Sequence, residues 1–283
     1  MKNPHFVKPQ AKNPHQLTVW QHIMPKRSIE RFGDADGWVQ LHRIKENQDL
    51  KLQASNEIFC AKRVWNQKAE ENSIRIETAF QQAADLILTN KVETLTKEMH
   101  FAVTEMYLLW RVRFLYASRP LPDQKIKMLS HERVLSKDDQ EQLEKNHILF
   151  VNQDATLAGR DLIGILLRRD MDIALRAGAR DMRWGIVQSE PGLEFSCPDA
   201  TVDHPIIPVS PTVCLIASWP DGKANAFGVG NINQTLISEA KHYWFAKDPA
   251  KCPIITRKLP DIQQPLPSKI LNYPHFEGLD SFA

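Results

Sequence analysis

No C-x-x-C pair occurs among Cys60, Cys197, Cys214 and Cys252, the four cysteines of this 283-residue chain. That excludes a zinc ribbon and a thioredoxin-type redox motif. Cys60 and Cys214 sit in apolar text and read as buried, reduced thiols acting as small hydrophobes, which places the chain in a reducing cytoplasm. Apolar runs such as Val213–Ala217 fall far short of the ~18 residues a membrane helix needs, so no membrane partner is expected. The opening MKNPHFVKPQ has Lys2 but no apolar stretch behind it, and no secretory signal is read there. G-x-G-x-x-G and G-x-x-x-x-G-K-[ST] are absent, and so is a nucleotide-binding fingerprint. H-E-x-x-H, G-x-S-x-G and kinase signatures are absent too, which disfavours the well-marked hydrolase classes.

What is present is an ordinary globular composition, 42% apolar and 25% charged, with enough chain for a real core in one or two domains. Net charge is only +2, but it is unevenly spread. Lys2, Lys8, Lys12, Lys26, Arg27 and Arg31 face Glu30 alone across the first 32 residues. Such a segment can touch phosphates or simply be a solvated arm. The expected organisation is an extended basic arm over 1–19, a single α+β domain over 20–247 and a Pro-rich extended tail over 248–283.

Within that domain, Trp38–Ile44 and Leu50–Gln53 alternate as the two strands of a small N-terminal β-hairpin. Ile74–Asn90 reads as an amphipathic helix capped by Ser73. Thr94–Ser118 is apolar most of the way round, the pattern of a central buried helix, and Arg119-Pro120 ends it. A polar helix follows over Ser136–Lys145, and a further helix over Asp154–Arg180 aligns Arg169, Arg176 and Arg180 on one stripe. Such arginines suit phosphates or carboxylates through their planar fork. Beyond Met182 the text turns to short antiparallel strands, plus one helix over Thr235–Lys247. Small hairpin, central long helices, then C-terminal strands and a helix make an α+β fold rather than a doubly wound sheet.

Three constellations could carry chemistry. The first is His22, just before a stiff Pro25 turn and the apolar anchors Ile29 and Phe32. The second is a set of carboxylates: Glu57 after a Ser-Asn turn, Glu77 early in its helix, and Glu98 and Glu105 on the long apolar helix. A carboxylate there needs a partner, and Arg111 and Arg113 are the nearest candidates in sequence. The third is Asp199, with Asp203 and His204 close behind, in a Pro-bounded loop of the kind that presents catalytic carboxylates or forms Asx-turns.

The ordered motifs resemble a mostly bacterial domain-of-unknown-function family that opens with H-x-x-P-x-x-Y-L-x-x-F. The likeness begins at His22-Ile23-Met24-Pro25 and closes its first motif at Phe32. It continues through Ser55–Phe59, Ile76-Glu77, the Arg111 helix, Trp184, the Gly192–Asp199 turn (F-x-x-x-D in the family), Ile207–Pro211, and Asn233 with Ala240 and Tyr243. It spans about residues 20–247. Ser28-Ile29 stands where the family has Tyr-Leu, and Cys197-Pro198 precedes Asp199 where Ser or Thr is usual. The resemblance implies an α+β domain without an established activity and, by analogy, an accessory gene of mobile-element or phage-defence type.

The leading expectation is an enzyme acting on nucleic acid, a metal-assisted nuclease or RNA-targeting toxin. His22, Glu57, Glu77 and Asp199 would form its catalytic site, with Mg²⁺ or Mn²⁺ as the cation. Arg111, Arg169, Arg176 and Arg180 would hold phosphates. The alternative is a non-catalytic interaction or regulatory protein in which the same groups form buried bonds. A third reading is a small-molecule hydrolase built on Asp199 and His204.

Overall fold

The computed structural model describes residues 3–126, 135–152, 154–201 and 203–255; the tail beyond 255 lies outside the described residues. The N-terminal arm is stapled to the body. In its Asn-Pro-His repeat, the Asn3 and Asn13 side chains each accept a local backbone N–H, from His5 (2.9 Å) and Leu17 (3.0 Å). The Asn3 amide donates to the carbonyls of Lys62 and Arg63, and His15 meets Asp138 at 2.8 Å. Strand β1 (Trp20–His22) leads to Pro25 and α1 (Lys26–Glu30), whose Ile29 and the following Phe32 are buried anchors.

The hairpin forms as expected from β2 (Trp38–Arg43) and β3 (Gln48–Gln53). A 3-10 turn over Glu57–Phe59 then leads into β4 (Cys60–Lys62), which pairs with β1. Helix α2 (Gln67–Leu88) starts seven residues before the expected Ile74. Asn66, not Ser73, is its cap, accepting from the Ala69 amide at 3.0 Å. Ser73 lies inside the helix and donates back to the Ala69 carbonyl. Both residue types cap well, and the helix-favouring text between them lets the earlier one act.

Helix α3 (Lys97–Ser118) is the central helix, with 15 of 22 residues buried. Its Glu105 pairs with Arg75 of α2 at 2.8 Å rather than with Arg111 or Arg113. Those two are six and eight residues on, and only three or four residues bring side chains together on a helix. Arg113 instead reaches back to α2, to Glu77 at 2.6 Å and Glu70 at 3.6 Å, over the Trp65 ring.

The short strand β5 (Gln124–Lys125) precedes α4 (Lys137–Lys145), where Ser136 and Asp139 form a capping box, and pairs with β6 (Thr156–Leu157). Helix α5 (Gly159–Arg176) is shorter than the expected 154–180. It begins where Gly159 passes so close to Leu121 that a Cβ would lie 2.0 Å from that residue's carbonyl oxygen. It ends before Gly178, whose φ of 111° no L side chain adopts easily. Arg180 therefore leaves the stripe for a 3-10 turn over Ala179–Asp181, with its guanidinium over the Phe101 ring.

The C-terminal half supplies β7 (Trp184–Ser189), β8 (Cys197–Pro198), β9 (Ile206–Ser210), β10 (Val213–Ala217), β11 (Gly222–Ala224), α6 (Ala226–Glu239) and β12 (Tyr243–Ala246). The helix expected over Thr235–Lys247 is thus displaced. Asn225 caps α6 by accepting from the Gly228 amide at 3.0 Å, and Tyr243–Ala246 is strand. That strand inserts between β2 and β8, giving the sheet order β3-β2-β12-β8 and joining the two ends of the fold. A second sheet, β11-β7-β10-β9, is antiparallel except for its β11–β7 pair.

Alternation along that second sheet builds two cores. Ile186, Ile207 and Leu215 face the large core shared with α2, α3 and α5. Val187, Ile206 and Cys214 face Val229 and Leu236 of α6. Packing continues past Lys247, since Glu194 bonds the amide of Asp248 and the Asn233 amide donates to the Pro253 carbonyl.

Under the arm lies a buried ion cluster. Arg63 meets Glu144 at 2.7 Å with both side chains at most 3% exposed, and Arg160 joins the same carboxylate oxygen at 3.0 Å. All four cysteines are buried and outside any disulfide. Burial pushes Cys60 up to about 11 and Cys252 up to about 12. Among the described residues, no helix is long and apolar enough to cross a membrane.

Candidate functional site

Glu239 closes α6, although the negative end of a helix disfavours a carboxylate. It is tolerated there because it serves the loop opposite. Its Oε1 accepts the amides of Asp203 (3.1 Å) and His204 (2.7 Å) and lies 2.5 Å from His204 Nδ1. Asp199 does the converse. Its side chain is fully buried, its Oδ1 accepts the Lys241 amide at 2.8 Å, and its Oδ2 accepts the His242 amide at 2.9 Å. His242 Nδ1 is 3.1 Å from the same Oδ2. Each loop thus carries the carboxylate that holds the other loop's backbone, a reciprocal clasp.

Helix α3 anchors the clasp. Trp110 Nε1 donates to the Asp199 carbonyl at 3.2 Å, and Phe114 meets the His242 ring edge-on. Arg111 is half-buried and makes no ion pair among the described residues. It lies beside Tyr107, whose phenol is pushed up to about 12 by burial, with the Arg111 charge opposing and Glu239 and Asp203 adding to the rise.

An imidazole whose Nδ1 is held by a carboxylate keeps Nε2 for proton transfer or ligand binding. His204 and His242 have that form and are half exposed. The hydrogen bond that His204 donates to Glu239 raises the His204 pKa against an opposing effect of burial. A raised folded-state value means that the stabilisation is complete below the unfolded value, about 6.5, and is lost as pH rises through the folded one. The melting-temperature advantage of the native chain over His204→Gln is therefore expected to be largest near pH 5.5 and to shrink by pH 8.5. An advantage independent of pH contradicts this.

Of the four residues expected to be catalytic, His22, Glu77 and Asp199 are each bonded to a separate partner, and Glu57 is exposed. His22 Nε2 is 3.1 Å from the Ala54 carbonyl. Glu57 is exposed at the head of its 3-10 turn, where the neighbouring Asn56 is the cap. Glu77 is paired with Arg113, and Asp199 is enclosed in the clasp. His22 and Glu57 share one corner, since His22 pairs with Cys60 across β1 and β4. Glu77 lines a shallow groove of about 370 Å³ with Pro25, Lys26 and Arg27. Among the described residues, no three His, Cys, Asp or Glu side chains come together as a cation site would require.

Of the arginines expected to bind phosphate, Arg169 is tied to Asp170 at 2.8 Å, Arg176 is exposed on α5, and Arg180 lies beyond that helix. Glu239 and His242 escape motif reading, because neither belongs to a spacing pattern. The one available signal is an acid at the end of a helix, where it is electrostatically misplaced. No protein-family model matches the chain, and neither a curated protein nor a solved structure matches it significantly.

Proposed function

We propose that the chain is a non-catalytic interaction or regulatory protein. One observation carries this reading: the buried carboxylates Asp199 and Glu239, each beside a histidine, accept four backbone amides, Asp199 through both oxygens and Glu239 through Oε1. Carboxylates so engaged are not themselves the base or cation ligand, and they fix the half-exposed His204 and His242 rings where a partner could meet them. Glu77 and His22 are similarly engaged with Arg113 and a backbone carbonyl.

The resemblance to the domain-of-unknown-function family belongs to this proposal. Its motif residues are bonded to one another across the fold, as where Asn233 Oδ1 accepts the Ser196 amide at 2.8 Å. Such residues hold a shape in common. A place in a mobile-element or phage-defence locus rests on that resemblance by analogy, and the buried thiols favour a reducing cytoplasm.

The test is incubation of the purified protein with RNA and DNA, each with Mg²⁺ or Mn²⁺. No cleavage above a buffer control is expected. Cleavage that Glu57→Ala abolishes at unchanged melting temperature would establish the metal-assisted nuclease instead.

A further inference from the structure

Helix α5 packs one face on α3 and α2, and its outer face is exposed. That outer face carries Arg168, Arg169 and Arg176 together with Ile165 (49% exposed) and Ile173 (40% exposed). At 100° per residue these residues and Asp172 fall within about 140° of arc, and Ile165 to Arg176 spans about 16 Å. Around the helix the order is Arg168, Asp172, Ile165, Arg176, Arg169 and Ile173, so Arg176 and Arg169 lie between the two isoleucines, with Arg168 and Asp172 beyond Ile165.

The charges on this face are unequal. Arg169 is held by Asp170, whose other oxygen accepts the Tyr116 hydroxyl at 2.6 Å. Arg168 is only loosely approached by Asp172, at 4.0 Å. Arg176 makes no ion pair among the described residues. Arg180, also exposed, follows just past the helix end.

We infer that this face docks an acidic amphipathic helix of a partner protein; the inference rests on the interaction reading above. A helix with a Glu stripe between two apolar rows complements both the arginines and the flanking isoleucines. A phosphodiester backbone would leave Ile165 and Ile173 in water. The span corresponds to about three turns of the partner.

The probe is a fluorescein-labelled 21-residue peptide of three heptads, with Glu at a and d and Leu at e and g, read by anisotropy. Controls are the same peptide with Lys for Glu, and 20-base-pair RNA and DNA duplexes. Binding of the acidic peptide is expected in the micromolar range, with no binding of the lysine peptide. Affinity should fall at least tenfold in Ile165→Ser/Ile173→Ser and at least tenfold in Arg168→Glu/Arg176→Glu. Both variants change exposed side chains and should melt like the native chain.

Absence of peptide binding overturns the inference, and so does binding that ignores the isoleucine substitutions. Duplex binding that depends on Arg176 and not on Ile165 or Ile173 also overturns it, while leaving an interaction protein with nucleic acid as its partner. The interaction reading itself falls only to the cleavage result described above, so the two failures are distinguishable.

Discussion

Asp199→Ala is expected to lower the melting temperature by about 10 °C. The substitution strands the amides of Lys241 and His242, both bonded to this fully buried carboxylate. An unsatisfied buried donor costs about 1–3 kcal/mol, and a domain of this size loses about 2–4 °C for each kcal/mol. Asp199→Asn should cost less, because the amide oxygen can still accept one of the two N–H groups. A thermal melt followed by circular dichroism reads both. A shift under about 2 °C for the alanine variant would show that the carboxylate does not hold the loop.

The second large effect is expected at the ion cluster beneath the arm. Glu144→Ala removes the only carboxylate paired with Arg63 and Arg160 among the described residues. Breaking a buried pair from one side costs about 3–5 kcal/mol, because a charge is left without compensation. Arg63 is where the penalty falls: burial lowers its pKa, and the neighbouring Glu144 charge chiefly opposes that. Urea denaturation should register the loss as a lower midpoint with an unchanged slope. The double replacement Arg63→Leu/Glu144→Leu should recover part of it, since the most deeply buried charge, Arg63, is then gone, although the less buried Arg160 still loses its partner. If the single and double variants unfold at the same midpoint, the pair has no special cost of separation.

The α+β class, the hairpin, the burial of α3 and the Ser136 cap were legible because each rests on local chemistry: alternation, apolar periodicity and a side chain three residues from its acceptor. Helix ends were legible only where one cap stood alone. Asn66 and Ser73 are both good caps, so cap chemistry alone does not choose between them. Tyr243–Ala246 read as helix because its apolar residues continue a helical period. Its strand state comes from the partners on either side, β2 and β8, which lie far away in sequence.

The candidate site was less legible than the fold for the same reason. Asp199 stood out by its loop, but its bonds go to residues 241 and 242. Glu239 acquires its role only from residues 203 and 204. Glu77 and Arg113 both stand out as charged residues in helical text, yet their pairing joins two helices that only packing brings together. Arg180 shows the local counterpart: a stripe projected at 100° per residue fails once Gly178 breaks the helix.

The most direct test of the clasp is amide hydrogen exchange at Asp203, His204, Lys241 and His242 in the native chain and in Asp199→Asn. Lys241 and His242 follow the last residue of α6 and precede the first of β12, so neither belongs to a helix or strand. Slow exchange at all four sites is predicted in the native chain, with at least tenfold acceleration at 241 and 242 in the variant and a smaller change at 203 and 204. Rapid exchange at these amides in the native chain would mean that the carboxylates are free for chemistry, and would contradict the non-catalytic account.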